Sequence, residues 1–233
     1  METDKKEEPK EVVQEKPAQS EEPKNDKFYE LKKNLVLLEK ASKDKDFKST
    51  AAIAKNLKKL RKMFDLPDAV LALSYYLPDL HMRIMLPTQP TDVPADKDLE
   101  SFLHCSQTRA EEIMVHAESQ LFIYDLLLMK LIDDGDYKNA QEFGDFVVAR
   151  LKNVNLRTLD HLGAKAMYFI AIANEKTGKL PQVRTQMFEF YKTACLRKDL
   201  IGQATITNVI IRSYLKQNLY DQAWQFIDKT NFP

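Results

Sequence analysis

Four histidines and two cysteines are the residues of this chain best able to hold a metal or act as nucleophiles: His81, His104, His116, His161, Cys105 and Cys195. Zinc chemistry asks for paired ligands at short spacing, as in H-E-x-x-H or two C-x-x-C groups. The nearest approach is His104-Cys105 followed by His116, which lacks a fourth ligand. Adjacent residues on a helix do not face each other, so His104 and Cys105 do not make a thiolate pair. Cys195 lies in a lysine-containing helical stretch and reads as a packed small residue. Thr177-Gly178-Lys179 is no phosphate loop, because the earlier glycine is absent and a helix rather than a strand precedes it. The carboxylate pairs Asp133-Asp134 and Glu111-Glu112 fall at a helix end and on a polar face, where solvation accounts for them. No catalytic residue, metal ligand or cofactor-binding residue is assigned, and the expectation is a protein that is not an enzyme and carries no cofactor.

The elements that would position any site are helical. Phe28, Leu31, Leu35 and Leu38 recur at helical spacing, as do Ile53, Leu57, Leu60 and Phe64. A third apolar stretch, Ala69 to Leu77, lies between Pro67 and Pro78. No window alternates with period two, and only five glycines occur, so the fold class is all-α. Residues 1–27 hold nine acidic side chains, six lysines, three prolines and no aromatic residue. Such a segment buries too little apolar surface to offset its ordering entropy, and it reads as a disordered charged tail. An N-terminal helical region is expected over 28–86, a proline-containing linker over 87–105, and a helical-repeat domain over 106–233.

Three short segments in that last region line up: DGDYKNA (134–140), TGKLPQV (177–183) and QNLYDQA (217–223). Their central residues Gly135, Gly178 and Asn218 stand 43 and then 40 positions apart, and Gly and Asn suit the left-handed conformation that ends many helices. Two positions on come Tyr137, Leu180 and Tyr220, and three further on Ala140, Val183 and Ala223. Each segment reads as a tight turn between a long helix and its partner, with the small residue letting the two approach. Tyr220, Ala223, Trp224 and Ile227 form an i, i+3, i+4, i+7 stripe, which places Tyr220 and Trp224 in the inter-repeat core. The preceding helices are apolar on more than one side; Leu121 to Ile132 is broken only by Asp125 and Lys130, so neighbours should cover it on both faces. Three such pairs make a right-handed α-solenoid of tetratricopeptide-like hairpins, of period about 40. The final pair has no polar cap, so the natural structure is expected to continue beyond Pro233.

The sharpest charged feature is AKNLKKLRKMF (54–64), which puts Lys55, Lys58, Lys59, Arg61 and Lys62 around one amphipathic helix. A solvated face with Leu57, Leu60 and Phe64 turned inward is the simpler account. As a candidate partner-facing helix it suits an acidic protein better than nucleic acid, because no aromatic residues interleave with the basic ones. Lys plus Arg equals Asp plus Glu at 35 each, so no global charge draws the chain to nucleic acid or to an anionic membrane. The charged N-terminus and the short apolar runs offer neither a secretory signal nor a bilayer span. The absence of paired cysteines and of Asn-x-Ser/Thr sequons fits a reducing compartment.

The segments LDHLGAKAMYF (159–169) and GQATITNVIIRSYLKQNLYDQAWQFIDKTNFP (202–233) resemble the non-ATPase regulatory subunit 3 family of the 26S proteasome. Gly202-Gln203-Ala204-Thr205, Asn208, Arg212, Tyr214-Leu215, Leu219 to Ala223 and the closing Phe232-Pro233 carry the likeness. It extends more weakly through GDYKNAQEF and NLVLLEKASKDKDF (34–47). The resemblance implies a non-catalytic structural subunit of the regulatory-particle lid that supports assembly and ubiquitin-dependent protein degradation. Its partners would be other lid subunits in a hetero-oligomeric complex of cytoplasm and nucleus, with no small-molecule substrate and no membrane. The family's PCI module lies beyond the matching region. The alternative is a helical-repeat adaptor or PCI-complex component of a signalosome or translation-initiation type.

Overall fold

The computed structural model describes residues 26–78 and 100–230. Eleven α-helices and one 3-10 turn are described, with no strand among these residues: α1 Lys27–Lys43, α2 Phe47–Lys55, α3 Leu57–Met63, α4 Leu66–Tyr76, α5 Gln107–Met114, α6 Ala117–Asp133, α7 Tyr137–Asn153, the 3-10 turn Arg157–Leu159, α8 Asp160–Lys176, α9 Leu180–Arg197, α10 Leu200–Lys216 and α11 Tyr220–Lys229. Residues 1–25 of the expected tail and most of the expected linker fall outside the described residues, but Asp26 and Lys27, expected within the tail, are the N-cap and first residue of α1. Residues 100–105 are described, and there Leu103 and Cys105 are buried.

The three expected hairpins are α6–α7, α8–α9 and α10–α11. Their turns share one backbone device. Gly135, Gly178 and Asn218 have φ of 81°, 75° and 57°, and in each case the next residue's N–H bonds the carbonyl five positions back: Asp136 to Leu131, Lys179 to Asn174 and Leu219 to Tyr214. That is the Schellman closure, which satisfies carbonyls that a helix end otherwise leaves orphaned. Lys45 (φ 54°) closes α1 in the same way through Asp46 N–H and Ala41 O. A fourth hairpin, α1–α2, therefore precedes the three that the spacing predicts. Phe47 stands where Tyr137, Leu180 and Tyr220 stand, and Thr50, fully buried, takes the place of Ala140, Val183 and Ala223. Lys198 (φ 56°) and His104 (φ 53°) terminate their helical segments by the same bond. The first helices of all four hairpins, α1, α6, α8 and α10, are 17 residues long.

Helix α6 lies at the centre. Its buried residues run without a break from Leu121 to Leu131, as a helix apolar nearly all round requires. α1, α3 and α4 cover one side and α7 and α8 the other, so both halves of the chain share one core. Polar ties hold the seams. Glu118, 2% exposed, accepts from Ser42 Oγ of α1 at 2.9 Å and from Thr158 Oγ1 of the 3-10 turn. Asp125 is fully buried and neither carboxylate oxygen has a hydrogen-bond partner. Burial pushes its pKa well above the usual 3.8, against the pull of Lys165.

The basic stretch expected as one helix is two. Asn56 breaks it between α2 and α3, and its side chain donates to Asn34 Oδ1 of α1 at 2.7 Å. The bond fixes the break against the core and turns α3 so that Leu57 and Leu60 are buried.

Left-handed backbone costs a side-chain-bearing residue about 1–2 kcal/mol. Gly178→Val is therefore expected to lower unfolding stability by about 1 kcal/mol, while Lys198→Gly, at the same backbone geometry, raises it by about 0.5–1 kcal/mol. Urea denaturation of the two variants checks the opposite signs. A carboxyl whose folded pKa is raised contributes fully below its unfolded value and loses that contribution as pH rises. Asp125→Asn should accordingly stabilise the protein relative to the wild type by an amount that grows as pH climbs above 3.8; melting curves at several pH values measure it.

Candidate interaction surface

Among the described residues no group of three or more His, Cys, Asp or Glu side chains could hold a metal ion. No described helix is long and apolar enough to cross a membrane. His104 Nε2 meets Asp26 Oδ2 at 2.5 Å, His116 N-caps α6 and contacts Ser42 Oγ through Nδ1 at 3.1 Å, and His81 lies outside the described residues. Cys105 is buried, which pushes its thiol pKa up. Cys195, expected as a packed residue, is exposed. It sits on α9 beside the exposed Leu196.

Tyr137, Leu180 and Tyr220 are each the first residue of their helix, and Ala140, Val183 and Ala223 are buried where the paired helices meet. Tyr220 and Trp224 do not join that core: they are 61% and 72% exposed. α11 packs instead through Ala223 and Phe226, whose ring meets Phe188 and Tyr191 edge-on. On a helix Trp224 is rotated by about 100° from Ala223, which carries it out of the contact.

The five predicted basic residues divide into two groups. Lys59 pairs with Glu30 at 3.1 Å. Arg61 forks onto both oxygens of Asp133 and lies 5.5 Å from the Phe169 ring centroid; this fork holds the Asp133 carboxyl below its usual range. These two residues tie helices together. Lys55, Lys58 and Lys62 are exposed. Lys55 and Lys58 are close enough to Lys165 of α8 to help lower its pKa, which burial depresses most, while its Nζ donates to the Ala54 carbonyl. Burial and Lys165 likewise push His161 down. Lys55 and Lys58 thus set positive charge beside Lys165 where α2 and α3 approach α8. Lys165 and His161 were missed in the sequence because they stand about a hundred residues from the lysines they join, and only the contact between α2 and α8 brings them together.

A family model described as PSMD3-like, N-terminal TPR repeats, matches residues 23–233. The chain is similar to a probable 26S proteasome non-ATPase regulatory subunit 3 of Nicotiana tabacum, 30% identical over 84% of this chain and 40% of that protein. It is similar to the 26S proteasome non-ATPase regulatory subunit 3 of Dictyostelium discoideum, 26% identical over 88% of this chain and 42% of the relative. With homolog A of that subunit in Arabidopsis thaliana it shares 38% identity over 46% of its own length and 22% of the other. The chain spans less than half the length of these relatives.

Proposed function

The chain belongs to the PSMD3-like family of N-terminal TPR repeats, and on that premise we propose that it acts as a non-catalytic structural subunit of the lid of the 26S proteasome regulatory particle. It supports assembly, and through assembly ubiquitin-dependent protein degradation, by protein–protein contacts in a hetero-oligomeric complex of cytoplasm and nucleus. The observation that carries this reading is the family match, which takes in all four hairpins and their turns. The architecture agrees with it: stacked hairpins offer long continuous surfaces, and chemistry-bearing side chains such as Glu118 and Arg61 are spent on joining helices. Lys55, Lys58 and Lys62 are the exposed cations of this region and face an acidic neighbour in that complex.

Affinity purification of the tagged chain from its own cells, with mass spectrometry of what accompanies it, tests the proposal. Stoichiometric lid subunits are expected, and the triple variant Lys55→Glu, Lys58→Glu, Lys62→Glu should reduce their recovery without lowering the melting temperature. A soluble, folded chain that recovers no proteasome subunit would contradict the assignment.

A further inference from the structure

Residues 100–105, just before α5, lie as a strap against the first turns of α1 and the last turns of α4. Phe102 meets the Phe28 ring at 4.9 Å, and Phe28 in turn meets Phe64, the residue after α3, at 5.2 Å. Leu103 and Cys105 are buried, and Tyr75 of α4 donates its hydroxyl proton to the Cys105 carbonyl. The strap is closed by His104. Its φ of 53° is backbone that a residue with a Cβ adopts only where its surroundings hold it there.

Those surroundings are contacts with α1, and one of them changes charge with pH. Lys32 Nζ donates to the His104 carbonyl, and an ammonium keeps its charge throughout the neutral range. The His104 ring meets the carboxylate of Asp26, the N-cap of α1, through Nε2, and Tyr29 stands edge-on to it at 5.9 Å. Burial alone would raise the Asp26 pKa, but the bonds from His104 and from the Phe28 N–H outweigh it and hold the carboxyl below its usual range. Asp26 is therefore anionic wherever an imidazole titrates, between about pH 5 and 8. The charged groups around the strap are otherwise engaged or in solvent. Lys27 pairs with Asp68, Glu30 with Lys59 and Arg109 with Glu39 and Glu112; Glu100 accepts from the Gln107 N–H, and Lys33 is exposed.

We infer that His104 and Asp26 form a pH-sensitive latch, in which an imidazolium holds the strap to the head of α1 and a neutral imidazole lets it open, uncovering Cys105, Leu103 and the Phe28 ring. A hydrogen bond between two ionised groups is roughly twice as strong as a neutral one. A contact that favours the charged ring contributes fully below the imidazole range and is lost as pH rises through it. It fades at the acid end only where Asp26 itself takes up a proton. The latch is internal to the chain and operates whether or not the chain enters a proteasome lid.

Cys105 reports the opening, because its thiol is buried while the strap is closed. The test uses the full chain carrying Cys195→Ser, which removes the exposed thiol, and follows modification of Cys105 by 4,4′-dithiodipyridine between about pH 6 and 8.5. His104→Asn is compared with this parent; Asn tolerates left-handed backbone and donates a hydrogen bond but carries no charge. The ratio of variant to parent rate cancels the pH dependence of the thiolate. It is expected to be about fivefold at the acid end and to approach one at the alkaline end. Asp26→Ser, which keeps an N-cap and removes the anion, should show the same decline. Lys32→Met should raise the rate by a factor that does not vary with pH. Melting curves confirm that each variant is folded during labelling. Ratios for His104→Asn and Asp26→Ser that stay constant across the range would overturn the latch, as would a decline for Lys32→Met equal to theirs.

Discussion

The all-round apolar surface of α6 is the constraint on which the remaining structure depends. A 17-residue helix whose buried residues run unbroken through three turns cannot face water on any side. One hairpin partner covers only a stripe. The rest must come from elsewhere, and it comes from both directions along the chain: α1, α3 and α4 before it, α7 and α8 after it. A helix–turn–helix repeat built by itself would have left that surface open. The same enclosure strips the solvent from Asp125 and forces Glu118 to find its partners on α1 and the 3-10 turn. Polar groups within the core therefore mark where separate elements are drawn together.

Much of this was legible in the sequence because the turns announce themselves chemically. Gly135, Gly178 and Asn218 are residues that accept positive φ at little cost, and the spacing from each to the first aromatic or aliphatic residue and then to the small residue holds in all three hairpins. Lys45, Lys198 and His104 adopt the same backbone with side chains that do not advertise it. Their conformation is imposed by tertiary packing, so the first hairpin stayed hidden although its register matches the others. The break at Asn56 was hidden for a related reason. Apolar periodicity continues through it, and only the hydrogen bond to Asn34, 22 residues earlier in the chain, shows where the axis turns. Trp224 illustrates the opposite error, since a stripe at helical spacing identifies a face without showing how far round the neighbour reaches.

The function proposed for this protein rests on its surfaces. The charged side chains that looked most available in the sequence split between structure and display: Arg61 and Lys59 are committed to Asp133 and Glu30, whereas Lys55, Lys58 and Lys62 remain outward. On another edge of the stack, Lys152 pairs with Glu189 and Arg197 with Asp160, and Leu156 and Leu196 are exposed beside them.

Native-state amide hydrogen exchange resolved by helix tests the central role of α6 most directly. If the enclosure of α6 organises the fold, its amides exchange slowest, opening only with global unfolding, and protection declines outward to α11, which packs on one side alone. Exchange of α6 as fast as that of α11 would contradict the account.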